Sequence, residues 1–205
     1  MLIDFSYLWK KYNIKSSGVL HIGASTGQEI SHYYKNTIDR SVWIEAIPEV
    51  YKRLVENIAT YPEAQAINAC ISDVDDQEVI FNIASNDGQS SSFLEFGTHA
   101  KVHPDVKFVD KIKMKTQRVD SIFPDLKDYT FVNIDLQGAE LLALKGMGTL
   151  INDVKFLYLE INKNELYKGC ALVGEIDDYL INFGFHRAES HWAGNTGWGD
   201  AFYTR

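Results

Sequence analysis

The sequence predicts an α/β fold built on a mostly parallel sheet. Stretches typical of strands and helices alternate from residue 18 to about residue 185, as expected for a parallel sheet covered by helices. The first strand runs directly into a glycine-containing turn that opens a helix, and a later run at residues 129–135 is almost continuously apolar, as in strands covered on both faces. We therefore expect one domain over residues 18–205, preceded by a helix within residues 1–17.

The first half of that domain alternates strands and helices in order. The predicted strands lie at residues 19–22, 41–45 and 64–71, and the predicted helices at residues 28–35 and 48–60. Pro48 suits the first turn of the second helix.

In the second half, the alternation of strands and helices is interrupted by two extended segments and a polar stretch. The pattern predicts extended segments at residues 78–83 and 111–116, strands at 129–135 and 155–161, helices at 141–150 and 174–183, and a terminal hairpin turning at 194–197. Residues 85–92 are rich in Ser and Gly, which fits either a mobile loop over a site or a plain surface loop.

Composition narrows the class of protein. The chain has 205 residues, a net charge of -8 and no run of Lys or Arg, which disfavours a nucleic-acid partner. No segment approaches the ~20 apolar residues that span a bilayer, and the first 15 residues lack a signal-peptide pattern. Cys70 and Cys170 are far apart, without metal-ligand spacing, so we expect buried free thiols and a cytoplasmic protein.

Two features together predict a nucleoside-bearing cofactor. The turn after the first strand reads GASTG at residues 23–27, and such turns bring backbone N–H groups close to a ligand. Glu45 ends the next predicted strand, where a carboxylate accepts hydrogen bonds from ribose hydroxyls. A solvated carboxylate at a strand end is the alternative for Glu45. NAD and S-adenosylmethionine both carry this ribose, so these residues alone leave both open.

An ordered set of motifs resembles the FkbM family of methyltransferases. The segment VNIDLQGAE at residues 132–140, followed by LKG at 144–146, is similar to that family's K-I-D-x-E-G-x-E and L-x-G pattern. HIGASTG at 21–27, WIEA at 43–46, the T-x-x-x-D pattern at 116–120 and GDAFY at 199–203 are similar to further family segments. The chain departs from the family at His21, Ser25 and Gln137, where an acid, a Gly and a Glu are usual.

The resemblance implies a class I, Rossmann-like methyltransferase fold, with a seven-stranded sheet, helices on both faces and an antiparallel last strand. It implies S-adenosylmethionine as methyl donor, S-adenosylhomocysteine as product, and O-methylation of a small-molecule or glycan hydroxyl. Whether the chain is a monomer or a homo-oligomer is undetermined. The cofactor contacts that it implies are His21, Gly23, Ala24, Ser25, Gly27, Glu45, Ala46, Ile71, Ser72, Asp73, Asp135 and Leu136.

The candidate catalytic residues are Asp135, Glu160 and His191. The two carboxylates end predicted strands, where either could take a proton from the acceptor hydroxyl, although Glu160 could simply cap its strand. Asp135, Glu160 and Asn162 also offer oxygen ligands for a divalent cation. His191, in the aromatic terminal hairpin, is a possible base or substrate contact. His21 is more simply a packed core residue, and His99 and His103 fit a solvated loop.

Two other functions remain open at this point. A nicotinamide-dependent oxidoreductase would use the same ribose contact, but G-x-G-x-x-G and an obvious Tyr-x-x-x-Lys pair are both missing. A non-catalytic binding module with the same fold is supported only by the departures at Ser25 and Gln137.

Overall fold

A computed structural model describes residues 1–36 and 38–205 of the chain. Its strands are β1 Gly18–Ile22, β2 Arg40–Glu45, β3 Glu63–Asn68, β4 Cys70–Ile71, β5 Glu78–Ala84, β6 Phe108–Gln117, β7 Phe131–Ile134, β8 Phe156–Asn162, β9 His186–Trp192 and β10 Trp198–Thr204. Its helices are α1 Phe5–Lys11, α2 Ile30–Lys35, α3 Pro48–Ile58, α4 His99–Val102, α5 Val119–Ile122, α6 Glu140–Gly146 and α7 Val173–Leu180. Single 3₁₀ segments, Gly148–Asp153 and Ile181–Phe183, extend α6 and α7.

Seven strands form the main sheet, in the order β3-β2-β1-β7-β8-β10-β9. Strands β3, β2, β1, β7 and β8 pair in parallel. Strand β10, the last along the chain, inserts antiparallel between β8 and β9. The expected mostly parallel sheet with an antiparallel last strand is confirmed, and its topology brings the carboxyl ends of β1, β2, β7 and β8 to one edge.

A second, three-stranded sheet in the order β4-β6-β5 lies beside the main one. The prediction of one strand over residues 64–71 is wrong, because the chain leaves the main sheet after β3. The Ala69 N–H makes a last bond to the Glu45 carbonyl, and Cys70 then pairs with Thr116 of β6. Apolar side chains from both sheets meet at this junction, among them Ala46, Ile47 and Phe81.

Two apolar layers cover the faces of the main sheet. On one face, α6 and α7 pack on Leu20, Ile134 and their neighbours. On the other, α1 contributes Phe5 and Leu8, both fully buried, and the Phe5 ring lies 5.3 Å from that of Phe131. The helix predicted within residues 1–17 is therefore part of the core, and burying such side chains contributes about 1.5–3 kcal/mol each.

Two further sequence expectations bear on the chain's chemistry. Cys70 and Cys170 are free and buried, as predicted. Across residues 1–36 and 38–205, no helix combines the length and the apolar character required to cross a lipid bilayer.

Candidate functional site

The turn after β1 requires glycine at its first position. Gly23 has a φ of +82°, and a Cβ there would lie 1.7 Å from the carbonyl oxygen of Asp135. The Gly23 and Ala24 N–H groups both donate to the Ile44 carbonyl at 2.9 Å. The turn is thereby fixed against the ends of β2 and β7, so that the backbone of residues 23–25 forms one wall of the site.

Glu45 ends β2 with its carboxylate buried beside this turn. Its Oε2 accepts a hydrogen bond from the Ser25 N–H at 2.9 Å, and its Oε1 accepts one from the Ile47 N–H at 2.8 Å. Burial raises the pKa of Glu45 to about 7, although these backbone donors oppose the change. Each carboxylate oxygen has two acceptor sites, so both oxygens can still accept a ligand hydroxyl.

A cavity of about 430 Å³ opens above the carboxyl ends of the central strands, within the size range of small-molecule sites. It brings together nine of the predicted cofactor residues: His21, Gly23, Ala24, Ser25, Glu45, Ala46, Ile71, Asp135 and Leu136. Glu160, a predicted catalytic residue, also lines it.

Three predicted cofactor residues lie outside the cavity lining. A Cβ at Gly27 would meet Leu54 and Ile58 of α3, so this glycine allows helix packing. Ser72 lies against Gly146 of α6, and the Asp73 carbonyl accepts from Arg118. The chain after β4 therefore turns toward α6 and away from the cavity.

His21 is a buried member of a polar chain in the core. The His21 Nδ1 lies 3.0 Å from the Tyr33 hydroxyl, which also accepts from Asn133 Nδ2 at 2.9 Å. Burial lowers the pKa of His21 to about 3, so the ring is neutral at physiological pH. The packed core role anticipated from its position in a strand is confirmed.

Three carboxylates converge at the ends of β7 and β8. One oxygen each from Asp135, Glu140 and Glu160 lies within 4.8 Å of the others. Asp135 is exposed to the cavity but enclosed by protein on its other sides, whereas Glu140 and Glu160 are buried. Burial raises the pKa of all three, and their mutual repulsion adds to the effect for Glu140 and Glu160.

Gln137 lies between two of these carboxylates. Its Nε2 donates to Asp135 Oδ1 and to Glu160 Oε2, both at 2.7 Å. Glu140 Oε1 instead accepts hydrogen bonds from the backbone N–H groups of Leu136 and Gly138. Neither Gln137 nor Glu140 was among the residues selected from the sequence, although both stand in the motif that carried the resemblance.

The donor set does not fit the divalent cation considered for Asp135, Glu160 and Asn162. An amide N–H group, which cannot coordinate a cation, stands between the two carboxylates. Asn162 is fully buried at the end of β8 and does not line the cavity. The structure does not bring the three expected ligands together.

His191 is also separated from the other candidates. It is an exposed residue of β9, outside the cavity lining. Strand β10 inserts between β8 and β9, which leaves His191 at the sheet edge, and its partner in register, Asp200, reaches the cavity instead. The hairpin was predicted, but this exchange of neighbours was not.

The Ser/Gly-rich stretch, residues 85–92, forms another wall of the cavity. Ser90 and Ser91 are buried and line the cavity, so this segment covers the site. The His99 Nε2 lies 3.2 Å from Ser90 Oγ, and the Tyr167 hydroxyl lies 3.2 Å from the Ser90 carbonyl oxygen and 2.7 Å from Gln137 Oε1. The wall is thus linked to the carboxylates.

His99 differs from the solvated loop residue expected from the sequence. It begins helix α4, is buried, and stacks on Phe96 with ring centroids 4.1 Å apart. Burial lowers its pKa to about 4. Its Nδ1 has no hydrogen-bond partner within the described part of the chain.

The charge of the cavity is one-sided. Its lining contains five carboxylic acids, Glu29, Glu45, Asp135, Glu160 and Asp200. No Lys or Arg is found among the lining residues that the structure describes. A ligand with positive charge near Asp135 is favoured, and an anionic group there is opposed by like charge.

Residues 21–187 match the family model described as the methyltransferase FkbM domain. The chain belongs to this methyltransferase family. The matched residues include the glycine turn, Glu45, the three carboxylates and the Ser/Gly-rich wall. The family recognised from the sequence motifs is confirmed.

Individual relatives are more distant. The 2-O-methyltransferase NoeI of Sinorhizobium fredii is 24% identical over 174 residues, which cover 80% of this chain and 71% of NoeI. The crystal structure of the methyltransferase FkbM from Methylobacillus flagellatus aligns with a TM-score of 0.61 at 16% identity, covering 99% of this chain. This chain spans 48% of that FkbM chain, or about half its length.

A further solved structure shares the fold. TrmK of M. capricolum, determined with S-adenosyl-homocysteine, aligns with a TM-score of 0.51 at 8% identity over 100% of this chain and 69% of its own. These structural likenesses confirm the Rossmann-like methyltransferase fold.

Proposed function

We propose that the chain is an S-adenosylmethionine-dependent O-methyltransferase acting on an uncharged, hydroxyl-bearing small molecule or glycan. The observation that carries this proposal is that Glu45 and Asp135 line one cavity at the ends of β2 and β7, the two strands that flank β1, on either side of the turn at Gly23. Family membership supports methyl transfer, and the TrmK complex with S-adenosyl-homocysteine is a precedent for this cofactor on a similar fold.

The cofactor is proposed to lie across the carboxyl ends of β2, β1 and β7. Its ribose hydroxyls donate to the free acceptor sites of Glu45. Its purine packs among apolar side chains of the junction between the two sheets, namely Ile47, Ile71 and Phe81. Its methionine portion follows the turn at Gly23, which directs the sulfonium toward Asp135. Opposite charge within a few ångströms favours both the sulfonium and the ionised carboxylate.

The reaction is an in-line displacement at the methyl carbon. The acceptor oxygen forms the new bond to that carbon as the carbon–sulfur bond breaks, and the hydroxyl proton passes to Glu160. The products are a methyl ether and S-adenosylhomocysteine. The raised pKa of Glu160 makes its ionised form a stronger base than an ordinary carboxylate.

The acceptor class follows from charge and from hydrogen-bonding groups. The cavity wall opposite the cofactor contributes Ser90, His99, Tyr167 and Trp198, which suit hydroxyl groups and the apolar face of a ring. The described lining residues include no Lys or Arg, and five carboxylic acids outnumber the α-amino group of Met1, so like charge opposes a phosphate or carboxylate near the reacting hydroxyl. The 2-O-methyltransferase name of NoeI supports oxygen as the methylated atom.

Calorimetric titration of the chain with S-adenosylmethionine, S-adenosylhomocysteine and NADH tests the cofactor. We expect one molecule of either of the first two per chain and no heat from NADH. Saturable NADH binding without S-adenosylhomocysteine binding would contradict the proposal and favour an oxidoreductase.

Transfer of a radiolabelled methyl group to a panel of acceptors tests the reaction. Each neutral glycoside in the panel is paired with its phosphate and its uronate. We expect transfer to each neutral member to be at least about tenfold faster than to its charged partners, since one unfavourable charge contact of about 1.4 kcal/mol gives that factor. Cofactor binding without transfer to any member would favour a non-catalytic module, and preferred transfer to phosphates would contradict the assigned acceptor class.

A further inference from the structure

The side-chain amide of Gln137 makes three short hydrogen bonds in the cavity. Two run from Nε2 to Asp135 and Glu160, and one runs from the Tyr167 hydroxyl to Oε1, each at 2.7 Å. An amide nitrogen carries two hydrogens, so its donors match the two carboxylates one to one.

These partners determine the orientation of the amide. The reverse orientation would put Oε1 2.7 Å from two carboxylate oxygens and would turn the two N–H donors away from them. The single hydrogen of the Tyr167 hydroxyl is directed to Oε1, which lies at 2.7 Å from the hydroxyl oxygen, nearer than the Ser90 carbonyl oxygen at 3.2 Å, and this bond stabilises the observed orientation. Tyr167 is therefore linked to the carboxylates by hydrogen bonds through Gln137.

The backbone at this position is also unusual. Gln137 has a φ of +53° and Gly138 a φ of +102°. The left-handed region is sparsely populated by residues other than glycine and persists where the surrounding structure enforces it. The turn after β7 thus presents the Gln137 side chain to the two carboxylates.

We propose that Gln137 is a positioning residue, whose amide holds Asp135 and Glu160 together and favours the ionised form of Asp135 beside the cofactor's sulfonium. This inference depends on the proposed function, because it takes the sulfonium to lie at Asp135. Without the amide, the two carboxylates would face each other with no donor between them.

Other charged and titratable groups face the pair from every side. They are Glu45 at the end of β2, Glu29 before α2, Glu140 in α6, Tyr167 after β8, Asp200 in β10 and the α-amino group of Met1. Burial and the neighbouring carboxylates raise the pKa of Asp135 and of Glu160, and the Gln137 amide is the side-chain donor that opposes this rise for both.

The test compares the affinities of S-adenosylmethionine and S-adenosylhomocysteine by calorimetry from pH 5 to pH 8.5. Only the first ligand carries the sulfonium charge, so the ratio of the two affinities reports the ionisation of Asp135 and cancels effects common to both. In the wild type, the ratio falls as the pH decreases through the pKa of Asp135. The variant Gln137→Leu removes the donor, and Gln117→Leu, at an exposed position of β6, is the matched control.

We expect the midpoint of the ratio to move upward by about one pH unit or more in Gln137→Leu, because a hydrogen bond to a charged group contributes at least that much. Gln117→Leu keeps the wild-type midpoint. An unchanged midpoint in Gln137→Leu, or a wild-type ratio that does not vary with pH, would overturn the inference. If the wild type binds neither ligand, the proposed function is wrong, and the inference about Gln137 that depends on it is wrong as well.

A second variant covers the case in which Gln137→Leu does not fold. Tyr167→Phe removes the hydroxyl that orients the amide and leaves the ring in place. A smaller upward shift of the same midpoint supports the inference, and a wild-type midpoint in this variant contradicts it.

Discussion

The affinity for the cofactor is expected to depend on pH through the ionisation of Glu45. A ribose that donates two hydrogen bonds binds the ionised carboxylate better than the neutral acid. The pKa of Glu45 in the free protein is about 7. The carboxylate is therefore ionised above pH 7 and takes up a proton as the pH falls. We expect the affinity for S-adenosylhomocysteine to decrease below pH 7, by at most about tenfold for each pH unit.

The substitution Glu45→Gln removes the charge with little change of shape. Each hydrogen bond to a charged group contributes about 1.5–3 kcal/mol, which corresponds to a loss of about 10- to 150-fold in affinity at pH 8. The variant should also lose the pH dependence between pH 6 and 8, because a Gln side chain does not titrate. One backbone donor, at Ser25 or Ile47, loses its carboxylate acceptor, so thermal unfolding must verify that the variant is folded.

Calorimetric titrations at pH 6, 7 and 8 measure both effects. Glu56→Gln is the matched control and should behave as the wild type, because Glu56 is exposed on α3, the helix that follows Glu45. A Glu45→Gln variant with wild-type affinity and a wild-type pH profile would refute the assignment of Glu45 to the ribose.

Three further predictions concern the walls of the cavity. Gly23→Ala is expected to destabilise the fold by about 3 kcal/mol or more, because the new Cβ would be strained and would overlap with the Asp135 carbonyl. The control Gly174→Ala, with no atom within 4 Å of the new Cβ, should stabilise α7 slightly. Urea denaturation measures both free energies of unfolding, and an unchanged stability of Gly23→Ala would contradict the turn geometry. Glu160→Gln should lower the methyl-transfer rate about 10²- to 10⁴-fold, while the cofactor affinity stays within a fewfold of the wild type. The wild-type rate should fall as the pH decreases through the raised pKa of Glu160, since the base must be ionised. Equal rates for the variant and the wild type would show that Glu160 is not the base. His191→Ala should leave rate and affinity unchanged in the same assays, because this side chain is exposed outside the cavity, and a large loss of rate would return His191 to the mechanism.

The sequence predicts the part of the site that depends on local geometry. The period and spacing alone predict a strand followed by a glycine turn and a second strand ending in Glu45, which is where the cofactor is proposed to bind. Parallel strands end at one edge, so Asp135 and Glu160 were expected to converge. The structure confirms that these residues line one cavity.

What the sequence does not reveal depends on contacts between distant segments. The orientation of the Gln137 amide depends on a hydrogen bond from Tyr167, which lies 30 residues further along the chain in a segment with no regular pattern. His99 is buried by Phe96 and Tyr167, whereas its local sequence resembles a solvated loop. The departure of the chain from the main sheet after β3 is set by pairing of Cys70 with Thr116, which no periodicity over residues 64–71 indicates.

A crystal structure of the chain with S-adenosylhomocysteine would show directly whether Glu45 holds the ribose and Asp135 faces the sulfur. We expect both ribose hydroxyls within hydrogen-bond distance of the Glu45 carboxylate, and the sulfur directed toward Asp135 with open space between it and Glu160. A ligand bound elsewhere, or one whose ribose is held by other residues while its sulfur points away from Asp135, would contradict this expectation.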